Sequence, residues 1–237
     1  MITANTPRDP EKIRTMFSKV AANYDRANSV LSMGVHHLWR KKLVQVSAAK
    51  IGDSVLDCAT GTGDLAIEFK NKVGNGRVVG TDFCLEMLAP APQKAKALGL
   101  DIEFKQADAM NLQFANQEFD LVSISFGIRN VANPAQALKE MARVTKPGGR
   151  VMVLEFGQVS LPGFAQVYNF YSNHVLPIIG GWVTGEREAY KYLQESSAEF
   201  PCRENFVELM KSTGAFTKCD YTSLTGGIAY IYKGVVG

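Results

Sequence analysis

Long apolar runs are missing from the sequence. The longest candidate, VLPIIGGWV at 175–183, has nine residues, whereas a membrane-crossing helix needs roughly 20. The start MITANTPRDPEK carries no apolar targeting segment, so export is not expected. Cysteine is scarce. Cys58, Cys84, Cys202 and Cys219 show neither C-x-x-C nor paired spacing, which excludes a disulfide framework and suits a reducing compartment with small buried or half-buried thiols. His36, His37 and His174 form no compact metal-binding pattern, so no metal is expected. A strong excess of one charge sign is absent too: 26 Lys and Arg against 23 Asp and Glu leave a net +3, which excludes a polycation. Together these absences predict a cytoplasmic protein.

What is present is enough for a substantial core, with 237 residues of which 46% are hydrophobic. The charge is uneven. Residues 1–42 hold eight Lys or Arg and three Asp or Glu, a local net of +5. Such a face meets phosphate or an anionic membrane, or is a solvated helix surface.

Asp9-Pro10 sets a cap residue before a proline at the first helical position. Ile13, Met16, Phe17, Val20 and Tyr24 then recur at helical spacing, predicting an amphipathic first helix. A second helical patch at about 35–48 places Leu38, Leu43 and Val46 beside Trp39 and the basic run Arg40-Lys41-Lys42. From Gly52 short strands alternate with helices. Strands are predicted at 54–58, 77–81, 102–106, 119–125 and 150–156. Helices follow the first to about Lys72 and the second to about Leu98, and a third runs from the cap Asn133-Pro134 to the stop Pro147-Gly148-Gly149. Four β–α–β units of this length imply a parallel, doubly wound sheet with right-handed crossovers.

Residues 157–200 break that rhythm. They are rich in Tyr, Phe and Trp, contain Pro162 and Pro177, and read as a helical insertion over the strand carboxyl ends. A helix near 203–212 and two strands at 216–222 and 227–233, joined through 223–226, restore order as an antiparallel edge hairpin. The expected organisation is an N-terminal helical cap (1–50), a core (51–156), the insertion (157–200) and the completion of the sheet (201–237). The fold class is α/β, with a mostly parallel seven-stranded sheet.

In such a sheet the ligand sits outside the strand carboxyl ends, where the winding reverses. Asp57 lies within strand one, and Gly61-Thr62-Gly63 turns the chain into a helix whose free N–H groups favour polar or anionic groups. Asp82 closes strand two, 21 residues after Gly61, where a carboxylate can accept both ribose hydroxyls of an adenosine. Asp108 closes strand three and can accept from the adenine amino group or orient the pocket. Gly61-x-Gly63-x-x-Ala66 also fits a loose dinucleotide pattern, and the loop can be a plain tight turn. Asp57 and Asp64 favour S-adenosylmethionine over a dinucleotide, because they repel a pyrophosphate but pair with the positive groups of a sulfonium amino acid.

These residues resemble the class I S-adenosylmethionine-dependent methyltransferases, and within them the C-methyltransferases of menaquinone and ubiquinone biosynthesis. Four stretches carry the resemblance, which covers nearly the whole chain: YDRANSVLSMGVHHLW at 24–39, VLDCATGTGDL at 55–65, ISFGIRNV at 124–131 and RVTKPGGRVMVLE at 143–155. The first and third are the specific ones. Two positions depart from the family pattern, Ala27 where methionine is usual and Gly157 where serine is usual.

The resemblance implies a Rossmann-like methyltransferase fold, with cofactor contacts from Thr62, Asp82, Asp108, Ala109 and Ser125. Asp57, Gly61, Gly63, Phe83 and Met87 complete the expected cofactor set, although the helical spacing of Met87 reads first as core. It also implies a prenylated quinol as acceptor, either demethylmenaquinol or 2-methoxy-6-polyprenyl-1,4-benzoquinol. Another small or lipidic acceptor and, more remotely, a nicotinamide oxidoreductase are the alternatives. The expected catalytic residues are Arg129 as a donor to developing phenolate charge, Asn130 as a hydrogen-bond partner of a quinol oxygen, Tyr24 as a closing aromatic and His37 as a proton acceptor. Each has a bland counterpart: a structural clasp for Arg129, a packed aromatic for Tyr24, a helix-packing hydrogen bond for His37. His174 is equally ambiguous. Phe156, Phe164, Tyr168, Phe170, Tyr171, Trp182 and Tyr192 are the candidate surface for the prenyl tail, and the N-terminal cap is expected to form part of the acceptor site. Peripheral contact with an anionic membrane through Arg40-Lys41-Lys42 and formation of a homodimer are compatible with the sequence. No nucleic-acid partner is expected, since strand four is not followed by an N-P-P-Y-type loop.

Overall fold

A computed structural model describes residues 9–159, 163, 166, 171 and 187–237. His174 and four of the tail-surface aromatics, Phe164, Tyr168, Phe170 and Trp182, lie outside the described residues.

The N-terminal segment begins as expected. Asp9 Oδ1 accepts from the Glu11 amide at 3.1 Å and Pro10 opens helix α1 (Pro10–Val20). The amphipathic pattern does not make one helix, however. A 3-10 turn at Ala21–Asn23 interrupts it, and α2 (Tyr24–Leu31) starts afresh before α3 (Val35–Val46). Then come β1 (Val55–Cys58), α4 (Asp64–Val73), β2 (Val78–Asp82), α5 (Leu85–Leu88), α6 (Ala91–Ala97), β3 (Glu103–Gln106), β4 (Phe119–Ser125), α7 (Pro134–Val144) and β5 (Thr145–Phe156). The described part of the insertion ends in α8 (Arg187–Glu199), followed by α9 (Glu204–Ser212), β6 (Phe216–Leu224) and β7 (Ala229–Val236).

The seven strands form one sheet in the order β3-β2-β1-β4-β5-β7-β6. All neighbours through β5 are parallel, and β7 runs antiparallel between β5 and β6. The winding reverses between β1 and β4, so the crevice lies where those two strands end. Alternate residues face opposite ways. Leu56, Cys58, Val151, Val153, Tyr230 and Tyr232 pack on one face with Leu138 and Met141 of α7 and Phe206 and Met210 of α9. Val55, Met152, Leu154 and Ile231 pack on the other with Trp39 and Leu43 of α3 and Leu65 and Phe69 of α4. Burial on both faces explains why β4 and β5 read as nearly continuous apolar runs.

Several boundaries differ from expectation. The helix after β2 is two short helices, because Pro90 has no N–H to continue the ladder from α5 into α6. The third crossover, 107–118, contains no helix. Helix α7 stops at Val144, ahead of Pro147-Gly148-Gly149, and the chain is already paired from Thr145 with Phe119. The hairpin strands are longer than their apolar patterns, since backbone pairing from Phe216 to Val236 extends past the side chains that face the core.

Gly157, one of the two departures from the family pattern, has a local cause. A Cβ there would stand 2.3 Å from Cε2 of Tyr230, which is itself buried, while the Gly157 amide is pinned to the Ile228 carbonyl at 3.0 Å. Gly157→Ser therefore overpacks this corner and is expected to cost about 1–3 kcal/mol of stability. Denaturant unfolding of the two proteins checks it.

Candidate active site

The crevice outside β1 and β4 is a cleft holding about 1090 Å³ of non-atom space, part of it open to solvent. Strand ends supply its polar floor and the N-terminal helices close it from above. Of the residues expected from sequence, Asp57, Gly61, Thr62, Asp82, Phe83, Met87, Asp108, Ala109, Ser125, Asn130 and Tyr24 all line it. They converge on it from five separate segments of the chain.

Asp57 is buried at the end of β1. Thr60 Oγ1 donates to its Oδ2 and Ser123 Oγ to its Oδ1, both at 2.7 Å. Burial pushes its pKa up to about 6, against the pull of those two hydroxyls and of Arg40. Asp82, at the end of β2, accepts from the Gly61 amide at 2.8 Å and from the Cys84 amide at 2.9 Å. Burial raises its pKa as well, in spite of these backbone donors. Asp82 thus braces the glycine loop from the end of β2 while lining the cleft. Asp108 accepts from the Met110 amide at 2.8 Å, shaping the loop at the end of β3.

The remaining features fit an adenosyl amino acid. Ser125 Oγ is buried at the lip of β4 without a hydrogen-bond partner, a polar atom that a ligand can satisfy. Ala59 (φ 49°) and Phe126 (φ 55°), following β1 and β4, hold left-handed backbone that is costly for non-glycine residues and gathers at binding sites. Gly127 lets the two loops meet, since a Cβ there would lie 2.5 Å from that of Ala59. Asp57, Asp82, Asp108 and Ser125 are the residues that would hold the amino, ribose and base groups.

Three expected site residues are placed elsewhere. Gly63 does not line the cleft. It caps α4 with φ 85°, and a Cβ would approach that of Ala91 to 2.9 Å, so its glycine serves helix–helix packing. His37 points out from the exposed face of α3 and stacks on His36 at 3.9 Å, because the inward positions of that helix belong to His36 and Arg40. Buried His36 shares a 2.6 Å hydrogen bond with Ser32, and burial with Arg40 nearby lowers its pKa to about 4.

Arg129 is the larger correction. It is buried in the 3-10 turn Ile128–Asn130 and does not line the cleft. Its Nη1 donates to Glu155 Oε1 at 2.7 Å and to the Phe126 carbonyl at 2.6 Å, and its guanidinium lies over Phe156. Glu155 is wholly buried in β5, so the pair is a clasp that seats the turn on the sheet. Asn130, next along the chain, is the residue presented to the cleft, with its Oδ1 accepting from Tyr192 of α8 at 3.0 Å.

The sequence placed the N-terminal cap and Tyr24 at the site but did not single out the other residues that close it. Ile13, Arg14 and Phe17 of α1 line the cleft beside Tyr24. Asp25 accepts from the Thr62 hydroxyl at 2.6 Å and from Lys94 at 2.8 Å. Lys94 also binds Asp64, which Arg40 holds from the other side at 2.7 Å. Burial pushes Asp64 up, but Arg40 and Lys94 outweigh it and keep it below the usual carboxylate range. This chain of charges joins α2, α3, α4 and α6 around the cleft. Arg40 is consequently not a surface charge of the basic run. The one available signal was the adjacency of Asp25 to Tyr24 in the first motif.

Asp57 makes stability depend on pH in a defined direction. Its folded pKa lies above the ordinary value, so the folded form binds more protons between the two, and ionisation costs about 3 kcal/mol as pH rises from about 4 to about 6, constant above. Asp57→Asn should remove that slope in pH-dependent unfolding. Arg129→Met, which leaves the buried Glu155 carboxylate unpaired, should cost about 3–5 kcal/mol in the same measurement, whatever it does to turnover.

Comparison with known proteins agrees with the geometry. Residues 5–236 match the model of the ubiE/COQ5 methyltransferase family. A protein of Bdellovibrio bacteriovorus named ubiquinone/menaquinone biosynthesis C-methyltransferase UbiE is 70% identical, over 98% of this chain and 99% of its own. A demethylmenaquinone methyltransferase of Thermus thermophilus is 43% identical, over 92% and 99% respectively. Among solved structures, a SAM-dependent methyltransferase from Thermotoga maritima shares the fold with TM-score 0.67 and 19% identity, covering 93% of this chain and 98% of that one. With S-adenosylmethionine as cofactor, the chain is a methyltransferase and belongs to the ubiE/COQ5 family.

Proposed function

We propose that this methyltransferase acts on a ring carbon of a prenylated quinol, with demethylmenaquinol the first acceptor to test and 2-methoxy-6-polyprenyl-1,4-benzoquinol the second. The observation that carries the reading is the mixed lining of the cleft. Its lining joins the strand-end carboxylates and Ser125 to the apolar side chains of Ile13, Phe17, Tyr24, Phe126 and Val131, with Asn130 among them. The family's named relatives act in menaquinone and ubiquinone biosynthesis, which supports the same acceptor class.

S-adenosylmethionine, when bound, supplies an electrophilic methyl group on a positively charged sulfur. The acceptor must offer an electron-rich carbon, which a quinol does when the neighbouring hydroxyl is hydrogen-bonded or ionised, and that carbon then loses its proton to restore aromaticity. The chain's contribution is alignment and electrostatics. Asn130 can donate through Nδ2 to a quinol oxygen because Tyr192 engages its Oδ1 and so orients the amide. Arg129 acts through Asn130, by fixing the turn that carries it. Tyr24, edge-on to Phe17 with ring centroids 6.5 Å apart, gives the acceptor an aromatic wall. His37 is not suited to take the proton from where it stands, and water entering from the open side of the cleft is the acceptor that remains.

Incubation with each reduced acceptor and S-adenosylmethionine, read by mass spectrometry, should give a product one methylene heavier. Absence of product from both quinols would end the reading while leaving methyltransferase membership intact. Asn130→Ala should lower kcat roughly 100-fold with cofactor affinity unchanged. Cofactor affinity, measured by calorimetry, should rise with pH through about 6 and then flatten, because a cation opposite Asp57 favours its ionised form; Asp57→Asn should abolish the rise.

A further inference from the structure

Helices α2 and α3 turn Tyr24 and Arg40 towards the cleft, and their outer surfaces carry a different chemistry. Three large apolar side chains stand in solvent around the turn that joins them: Val30 at 45% exposure, Met33 at 81% and Leu38 at 64%. Arg26 lies one helical turn before Val30 on the exposed side of α2, and His37, Lys41, Lys42 and Gln45 share the exposed arc of α3 with Leu38. Helix α3 contains no acidic residue, and the single one in α2, Asp25, is bound to Thr62 and Lys94 inside. The result is an apolar tip ringed by cations with no carboxylate of either helix among them.

That pattern selects its occupant. A second copy of this chain would set Arg26, Lys41 and Lys42 against themselves across a twofold axis. A phospholipid bilayer with anionic headgroups accepts apolar side chains below the headgroup plane and cations at it. No helix among the described residues is long and apolar enough to cross a membrane, so any contact is at the surface.

We propose that the α2–α3 tip docks this enzyme on anionic bilayers, with Val30, Met33 and Leu38 inserting between headgroups and Arg26, Lys41 and Lys42 meeting their phosphates. The biological rationale rests on the lipid acceptor proposed above, since docking here brings a cleft built partly from the same two helices to the layer where such an acceptor dissolves. Arg40 takes no part, being committed to Asp64.

The test is flotation of the full chain with vesicles of phosphatidylglycerol and phosphatidylcholine, and with phosphatidylcholine alone. Binding is expected to the mixed vesicles only, weakened at least about tenfold by high salt and by Lys41→Glu/Lys42→Glu. Met33→Glu/Leu38→Glu should weaken it at least as much, with S-adenosylmethionine affinity and turnover of a short-tailed, water-soluble quinol unchanged. If that variant loses cofactor affinity, and so its fold, the lysine pair decides. Three results overturn docking: no binding to the mixed vesicles, equal binding to neutral ones, or variants that bind like the parent. A dimer dissolved by Met33→Glu/Leu38→Glu, without vesicle binding, gives the tip to a second copy and overturns it too. Turnover of the soluble quinol without vesicle binding would sink docking alone; vesicle binding without turnover of any quinol would sink the acceptor reading alone.

Discussion

Two carboxylates placed at the ends of adjacent parallel strands constrain everything around them. Asp57 and Asp82 are both buried, and burial raises both pKa values, so each is poised against its own ionisation until something compensates. The protein compensates only in part. Hydroxyls from Thr60 and Ser123 serve one, and amides from Gly61 and Cys84 serve the other. What remains is a site whose electrostatics improve when a ligand brings positive charge and hydroxyl donors. This is the physical form of a preference for an adenosyl sulfonium over a pyrophosphate.

The helices around this polar floor are held together by charge. The sequence Asp25, Lys94, Asp64, Arg40 ties three helices and the start of α4 together in alternating sign. Such half-buried pairs draw on a lower local dielectric than surface pairs, and each partner here is satisfied from two directions or nearly so. On the other side of the cleft Arg129 and Glu155 do the same for the turn that presents Asn130. Two ionic clasps thus flank one site. They differ in one respect: Arg40 itself lines the cleft, whereas Arg129 is buried behind it and leaves Asn130 at the lining.

The fold could be followed in the sequence almost strand by strand, because β1, β4 and β5 are covered on both faces and betray themselves as short apolar runs between glycine- and proline-marked turns. Helix ends were less legible. The break after Val20 has no sequence mark, and that at Pro90 has one that the periodicity around it overrode. Strand-end carboxylates were found because topology alone brings them together. Asp25, Lys94 and Arg40 were not, since their spacing along the chain carries no period and their pairing exists only once α2, α3, α4 and α6 have packed.

By itself the sequence determined the sheet, its doubly wound order and the carboxylate-lined crevice, because those follow from local periodicity and from where parallel strands must end. Only the tertiary structure decided the fates of Arg129, Gly63 and His37. Adjacency in a motif says that residues arrive together, not which way each points. Arg129 turned to the buried Glu155 because an unpaired carboxylate inside β5 would have been far costlier than an unpaired position at the edge of the cleft.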